Sequence, residues 1–305
     1  MNGVKFTPLG ILSALALSAL TACGGGSMGA STSTLNLGIT DSAIDNATKV
    51  WIQFTGVEVK PMNGSAVTFN FAAAKGFDLL TLSGGRTAEF LNGATVPAGQ
   101  YEWVRLMVDP TPGASYIIDP TGQHNLAIPS GAETGLKLIH GFTMPQSGVA
   151  NFTVDFVLSR SIIAPPGQAP DYIFKPVLRL VDNAQVGTIS GTFQPGTLTS
   201  QPNCGTPVVY VYSGSGVVAD DIYVPTAGPA PAVQPLVTAI ATTNMSSMYA
   251  YTIAFLPVDT YTVAFTCDAD DPSVHETTLA PGTITFMTYP QDVMLTANMT
   301  TTANF

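Results

Sequence analysis

From about residue 35 onward, apolar and polar positions alternate along almost every segment of the chain, the period-two signature of half-buried strands. In KVWIQFTGVEVK, Val50, Ile52 and Phe54 share one face, and Val57 and Val59 continue on the other parity. The slip across Thr55-Gly56 predicts a glycine bulge. In YEWVRLMVD, Val104, Leu106 and Val108 point one way, and Tyr101, Trp103, Arg105 and Met107 the other. NFTVDFVLSR sets Phe152, Val154, Phe156 and Leu158 inward. YIFKPVLRLV opposes Phe174, Leu178 and Leu180 to Lys175 and Arg179, with Pro176 marking an edge or bulge. Past a short polar stretch, Val181 to Gln185, a second series begins with VGTISGTF and PVVYVYS. A hairpin is expected there, running from Tyr249, Tyr251, Ile253 and Phe255 through Pro257-Val258-Asp259-Thr260 to Tyr261, Val263, Phe265 and Cys267. VPTAGPAPAVQPLV reads as a Pro-rich loop. No segment after the leader holds a 3.6-residue period for ten residues, and GFDLLTL allows at most one helical turn. The expected fold is all-β, with two β-sandwich domains over residues 35–182 and 186–305.

Composition agrees. Hydrophobic residues make up 46% of the 305 and charged residues only 10%, against roughly 25% charged in an average domain. Such a chain can bury a core and is unlike a disordered one. The net charge of −10 leaves no basic stripe to displace counterions from a nucleic acid, so that class of partner is excluded from the reading. Polybasic docking on anionic lipid is disfavoured for the same reason.

The first residues carry Lys5 and then an apolar run of about 14 residues, Leu9 to Ala22, shorter than the roughly 20 that span a bilayer as a helix. This is the layout of a secretory signal peptide over residues 1–22. Its end, Leu20-Thr21-Ala22-Cys23, resembles the bacterial lipobox, in which the leader is cut before a lipidated cysteine. The resemblance implies two or three acyl chains on Cys23. At about 0.8 kcal/mol per buried CH₂ they would form an effectively permanent membrane anchor. Residues 23–34 then read as the lipidated cysteine and a flexible polar tether. Gly24 in place of Asp resembles the outer-membrane sorting rule of Gram-negative lipoproteins. With Cys23 so used, Cys204 and Cys267 remain, an even pair in an oxidising compartment. Their disulfide would close a loop of about 60 residues, worth about 4 kcal/mol on the chain-entropy model. Free thiols or two metal ligands are the alternatives, although no nearby histidine pair completes a zinc site.

No reactive constellation stands out. Gly25-Gly26-Ser27-Met28-Gly29 matches G-x-S-x-G in letters, but that chemistry needs a strained strand-to-helix turn beside a histidine. His124, His140 and His275 fall at no ligand spacing and read as solvated or hydrogen-bonded loop residues. Asp268, Asp270 and Asp271 in CDADDPS offer hard oxygens at a calcium-like alternation, with turn-forming aspartates as the plain alternative. Asp41 and Asp45 read as turn or cap residues. Trp51, Trp103 and Arg105 lie on the parity opposite the aliphatic residues. They form a candidate ligand face for a glycan or an envelope protein, unless that face packs against a loop, a sheet or the other domain. No cofactor is implied, and neither catalytic nor metal-binding residues are assigned.

ITDSAIDNATKVWIQFTGVEV, FDLLTL, VPAGQYEWVRLMVD, IPSGAETGLKL, NFTVDFVLSRSI and YIFKPVLRLV, in that order, resemble one bacterial lipoprotein family, domain of unknown function 4382. The likeness covers roughly Leu35 to Val181. It implies an immunoglobulin-like or transthyretin-like sandwich on a secreted lipoprotein and brings no catalytic residues with it. GTISGTF through FLPVDTYTVAFTCD is similar to transthyretin-like, carboxypeptidase-regulatory-like domains. Its Pro257-to-Tyr261 corner has Asp259 where the usual Pro-x-Gly-x-Tyr has glycine, which Pro97-Ala98-Gly99-Gln100-Tyr101 retains. The expectation is a non-enzymatic, lipid-anchored envelope protein with a binding, adhesive or surface-structural role. The rival is an accessory or catalytic component of envelope carbohydrate or peptide processing, with loops such as Pro225 to Pro235 over a cleft.

Overall fold

The computed structural model describes residues 31–42, 44, 47–129, 131–163, 171–194, 197–198, 204, 206–222, 233–245, 248–268, 284–287 and 290–305. The leader, Cys23, Asp45, Asp270, Asp271 and His275 lie outside them. The chain is all-β, as the alternation predicts. The first sheet contains β1 (Thr32–Ser42), β4 (Ala88–Pro97), β10 (Val149–Val157) and β13 (Leu178–Asp182), in the order β13-β10-β1-β4. β1 is therefore interior, parallel to β10 and antiparallel to β4. The facing sheet centres on β2 (Lys49–Pro61), which pairs with β3 (Val67–Asp78), β5 (Gly99–Val108) and β6 (Tyr116–Asp119). It is completed by β7 (Gly122–Ala127), β8 (Leu136–Leu138), β9 (Phe142–Met144), β11 (Ile162–Ile163) and β12 (Tyr172–Phe174).

A 3-10 turn, Asn183–Gln185, leads into the second pair of sheets. One is β17 (Thr242–Thr243), β18 (Tyr249–Pro257), β14 (Val186–Thr192) and β21 (Thr300–Thr302), in that order. The other is β16 (Val237–Ile240), β15 (Val208–Ser213), β19 (Thr260–Thr266) and β20 (Gln291–Met294). Among the described residues, helix is limited to short turns at Leu79–Leu82, Gly131–Thr134 and Leu158–Ser161, the connecting turn, and residues 197–198. The first of these is the turn expected in GFDLLTL.

Each sandwich encloses an aromatic core. In the first, Phe54 meets Phe90 edge-on at 5.0 Å and Phe156 at 6.2 Å. In the second, Phe265 lies 4.9 Å from Phe193 and 4.8 Å from Phe305. These offset and edge-on contacts add to the burial of the rings themselves. β14 also needs a residue without a side chain at Gly191, because a Cβ there would lie 1.8 Å from the Ala303 carbonyl oxygen. β15 is apolar on both faces because Val217, Ala219, Ile222, Val233, Ile284 and Phe286 cover its outer side.

The ladders refine the parity arguments. The slip at Thr55-Gly56 is present in the ladders of β2 with β3 and with β5. A second bulge, where Lys60 faces Trp103 and Pro61 faces Tyr101, turns Tyr101 into the core while Trp103 stays outside. A third, opposite Thr188, places Phe255 at φ +57° and gives its core position to Leu256. Each extra residue reverses the alternation beyond it, so the sequence parity misassigns Tyr101 and Phe255.

The expected hairpin over residues 249–267 is also replaced. β18 and β19 belong to different sheets, and Pro257 to Thr260 is a corner between them. Pro97 to Gly99 does the same between β4 and β5. Both corners close alike: the Tyr101 hydroxyl donates to the Pro97 carbonyl at 2.7 Å, and the Tyr261 hydroxyl to the Pro257 carbonyl at 2.8 Å. Gly99 sits at φ +125°, a region that favours glycine. Asp259 needs no such conformation, and its carboxylate accepts from the Thr260 amide at 2.8 Å. Burial pushes the Tyr261 hydroxyl up to about 12, with Arg179 opposing and Asp259 reinforcing the shift. The protonated corner thus contributes stability below pH ~10, and that contribution is lost as pH rises through about 12. Tyr101→Phe and Tyr261→Phe should each lower unfolding free energy by about 1 kcal/mol, measured by urea titration.

Candidate binding face

β2, β3, β5 and β8 carry one cross-strand row on the outer side of the larger sheet: Thr68, Glu58, Arg105 and Lys137. The Arg105 Nη1 lies 2.9 Å from Glu58 Oε2, and the Thr68 hydroxyl donates to Glu58 Oε1 at 3.4 Å. Trp103 occupies the next row, opposite Lys60, and is half-buried. Its ring receives Arg105 Cζ at 4.8 Å and Lys137 Nζ at 4.4 Å. Cations over an indole face are attracted by its quadrupole. Paired with Glu58, Arg105 holds the ring in place while Lys137 remains exposed. Chemically, this arrangement is an aromatic platform with donors at its margin.

Trp51 belongs to a different part of the sheet. It stacks on Tyr116 at 6.3 Å, takes Lys49 Nζ at 5.1 Å, and lies on Gly76, where a Cβ would be 2.1 Å from its Cζ2. Along β2, the stretch from Trp51 to Lys60 (opposite Trp103) spans about 30 Å at roughly 3.3 Å per residue. Trp103 and Arg105 therefore form one site, and Trp51 another.

Cys204 and Cys267 are joined by a disulfide with a Cα–Cα distance of 4.8 Å. Cys267 follows β19 and packs against the second core, as its parity with Phe265 suggests. Asp268, next to it, accepts from the Thr285 amide at 2.7 Å and so ties two segments together. Asp41 is buried at the end of β1, and His140 is exposed.

His124 belongs to a cluster that spacing alone does not reveal. Asp119 Oδ1 accepts from the Thr121 amide and hydroxyl, both at 2.7 Å, and from the Gly122 amide at 3.1 Å. Its Oδ2 accepts from the Tyr172 hydroxyl at 2.7 Å, and His124 Nε2 lies 3.1 Å from Oδ1. The sequence signal was available in Asp-Pro-Thr-Gly, a turn whose aspartate bonds to amides two and three residues on. The cluster fastens the β6–β7 turn to β12.

A cleft of about 310 Å³ lies between the sandwiches, bordered by Asp41, Gly84 to Arg86, Asp155, Thr238 and Phe255. The packing that forms it includes a Thr238–Ser159 hydroxyl hydrogen bond of 3.2 Å and Arg160 Nη1 donating to the Pro235 carbonyl at 3.3 Å. Asp155 is bound by Arg179, whose Nε donates to Oδ2 at 2.9 Å. The cleft's wall thus includes an internally neutralised carboxylate. Its residues come from distant parts of the chain, which explains why no local motif announced it.

Burial opposes the charge on Asp119. Hydrogen bonds from the Thr121 side chain, Tyr172 and the Thr121 amide, with the His124 charge, outweigh it and hold the carboxyl well below the usual range. The lowered value means that its stabilisation is present above pH ~4 and is lost as pH falls toward the folded-state value. Asp119→Asn should remove about 1–3 kcal/mol at neutral pH, and urea titrations across pH 2–7 should show a flatter acid limb. Reduction of the Cys204–Cys267 bond should lower the melting temperature of the second sandwich, consistent with about 4 kcal/mol from loop closure. Calorimetry with and without reductant measures that shift.

The sequence matches no curated protein. Among solved structures, the Bacillus anthracis TIE protein is 12% identical, with a TM-score of 0.19 over 90% of this chain and 33% of its own. The chain thus spans about a third of that protein's length. GBS52, the minor pilin of Streptococcus agalactiae, is 10% identical, with a TM-score of 0.20 over 89% of this chain and 94% of its own. The fimbrial anchor protein Mfa2 from Porphyromonas gingivalis is 10% identical, with a TM-score of 0.16 over 75% and 77%. Likeness at this level bears on neither ligand nor partner. Residues 32–176, which contain β1 through β12, match the family model described as Domain of unknown function (DUF4382).

Proposed function

We propose that the protein is a lipid-anchored component of the bacterial cell envelope, held through Cys23 in the outer membrane, with a non-enzymatic binding, adhesive or surface-structural role. The observation that carries this reading is the short interval between anchor and body: Leu20-Thr21-Ala22-Cys23 ends an apolar leader, and β1 begins at Thr32. Among the described residues no helix is long and apolar enough to cross a membrane, so in this reading the cysteine supplies the attachment. The second sandwich is read as a transthyretin-like module, and the first as two sheets presenting the Trp103 platform to a glycan or an envelope protein. Trp103 suits that role because its ring is half-buried and fixed by two cations, so little side-chain freedom is lost when a partner stacks on it.

Cys23→Ser should move the protein from the membrane fraction to the soluble fraction and abolish incorporation of labelled palmitate; retention after detergent-free washing would refute the anchor. Trp103→Ala should reduce capture on a glycan array or by intact envelope at least about tenfold while leaving the melting temperature of the second sandwich unchanged. Turnover of an envelope substrate by the purified chain would overturn the non-enzymatic reading.

A further inference from the structure

Among the described residues, eight large apolar side chains are exposed: Ile139, Val218, Met245 and the five that follow. Met62 follows β2, and its amide donates to the Gln100 carbonyl at 2.8 Å, beside the first proline corner. Val149 begins β10, opposite Thr34 near the start of β1. Val258 lies in the second corner, and its amide donates to the Gln185 carbonyl at 3.2 Å. Met294 faces Thr260 across the ladder, and Met299 is next to Asn298, whose amide donates to the Val186 carbonyl at 2.7 Å. Asn298 also shares one surface hollow with Pro145 and Val149. These contacts place Met62, Val149, Val258, Met294 and Met299 at one end of the paired sandwiches, with exposures from 46% to 70%. Met245, by contrast, lies in the turn that enters β18, at the end of that strand away from Pro257.

The chain enters the body at that same end. The Ser31 carbonyl accepts from the Ala98 amide at 2.8 Å, and the Ser31 hydroxyl donates to Gln146 Oε1 at 2.8 Å. From Cys23 to Ser31 a fully extended chain spans at most about 28 Å, less than the roughly 36 Å length of β1 at ~3.3 Å per residue. We infer that this end is a lipid-docking surface: Met62, Val149, Val258, Met294 and Met299 seat in the headgroup layer of the membrane that holds Cys23. The inference rests on the anchoring reading and adds to it an orientation and a contact. The occupant is lipid rather than a protein because the apolar tips come from separate strand ends and turns of both sandwiches, on the side from which so short a connection must leave. Contact is apolar, since Asp182 and Asp259 are exposed at this end and the chain carries a net charge of −10.

The test uses the full lipidated chain in phosphatidylethanolamine/phosphatidylglycerol vesicles containing doxyl-labelled lipid. Bimane is attached in separate variants at Met62→Cys, Val258→Cys and Met245→Cys. Side chains seated roughly 5–10 Å into the headgroup boundary should bring the first two labels within the quencher's reach. Their quenching should exceed that at position 245 by at least about twofold, and high salt should not remove the difference. Equal quenching at all three positions overturns docking. Flotation reports the anchor independently: a chain that floats without a quenching difference keeps its anchor and loses the docking surface. A chain that fails to float refutes the anchor, and with it the docking surface that rests on that anchor.

Discussion

Each sandwich turns from one sheet to the other at a corner fastened by a tyrosine hydroxyl on the carbonyl of the proline four residues earlier. The constraint is local, but much depends on it. It commits β4 and β5, and again β18 and β19, to opposite layers, so the aromatic cores around Phe54 and Phe265 can close between them. It also buries a polar hydroxyl only where an acceptor waits, the condition under which a buried tyrosine adds stability rather than subtracting it.

Alternation along the chain was enough to read the strand class, the bulge at Gly56 and the inward set from Phe152 to Leu158. It failed at Tyr101 and Phe255 for one shared reason. A bulge adds a residue to one strand of a ladder, and the register shift that results depends on the partner strand, which a single segment does not contain. The supposed hairpin at Pro257 failed differently: a tight Pro-Val-Asp-Thr turn looks the same whether its flanking strands pair or part. Only the long-range ladders, β18 with β14 and β19 with β15, distinguish the two outcomes.

The candidate site was legible residue by residue but not as an assembly. Trp103 and Arg105 are two apart on one strand, so period two brings them together, and Lys137 joins them only through the β5–β8 ladder. Trp51 shares their outward parity yet lies far along β2. Outwardness is a local property and proximity is not. The Cys204–Cys267 bond was accessible to counting because an oxidising compartment leaves few choices for two cysteines, whereas the Asp119 cluster depended on Tyr172 arriving from β12.

The placement of β1 has a mechanical consequence. It lies between β4 and β10 rather than at a sheet edge, and the polypeptide enters it from the Ser31 end. Tension applied there along the strand axis acts in shear on two ladders at once, so their hydrogen bonds must yield collectively. Had the first strand been an edge hairpin, the same tension would have peeled its bonds in succession. A pull applied at Ser31 would thus be resisted through the strand nearest to it.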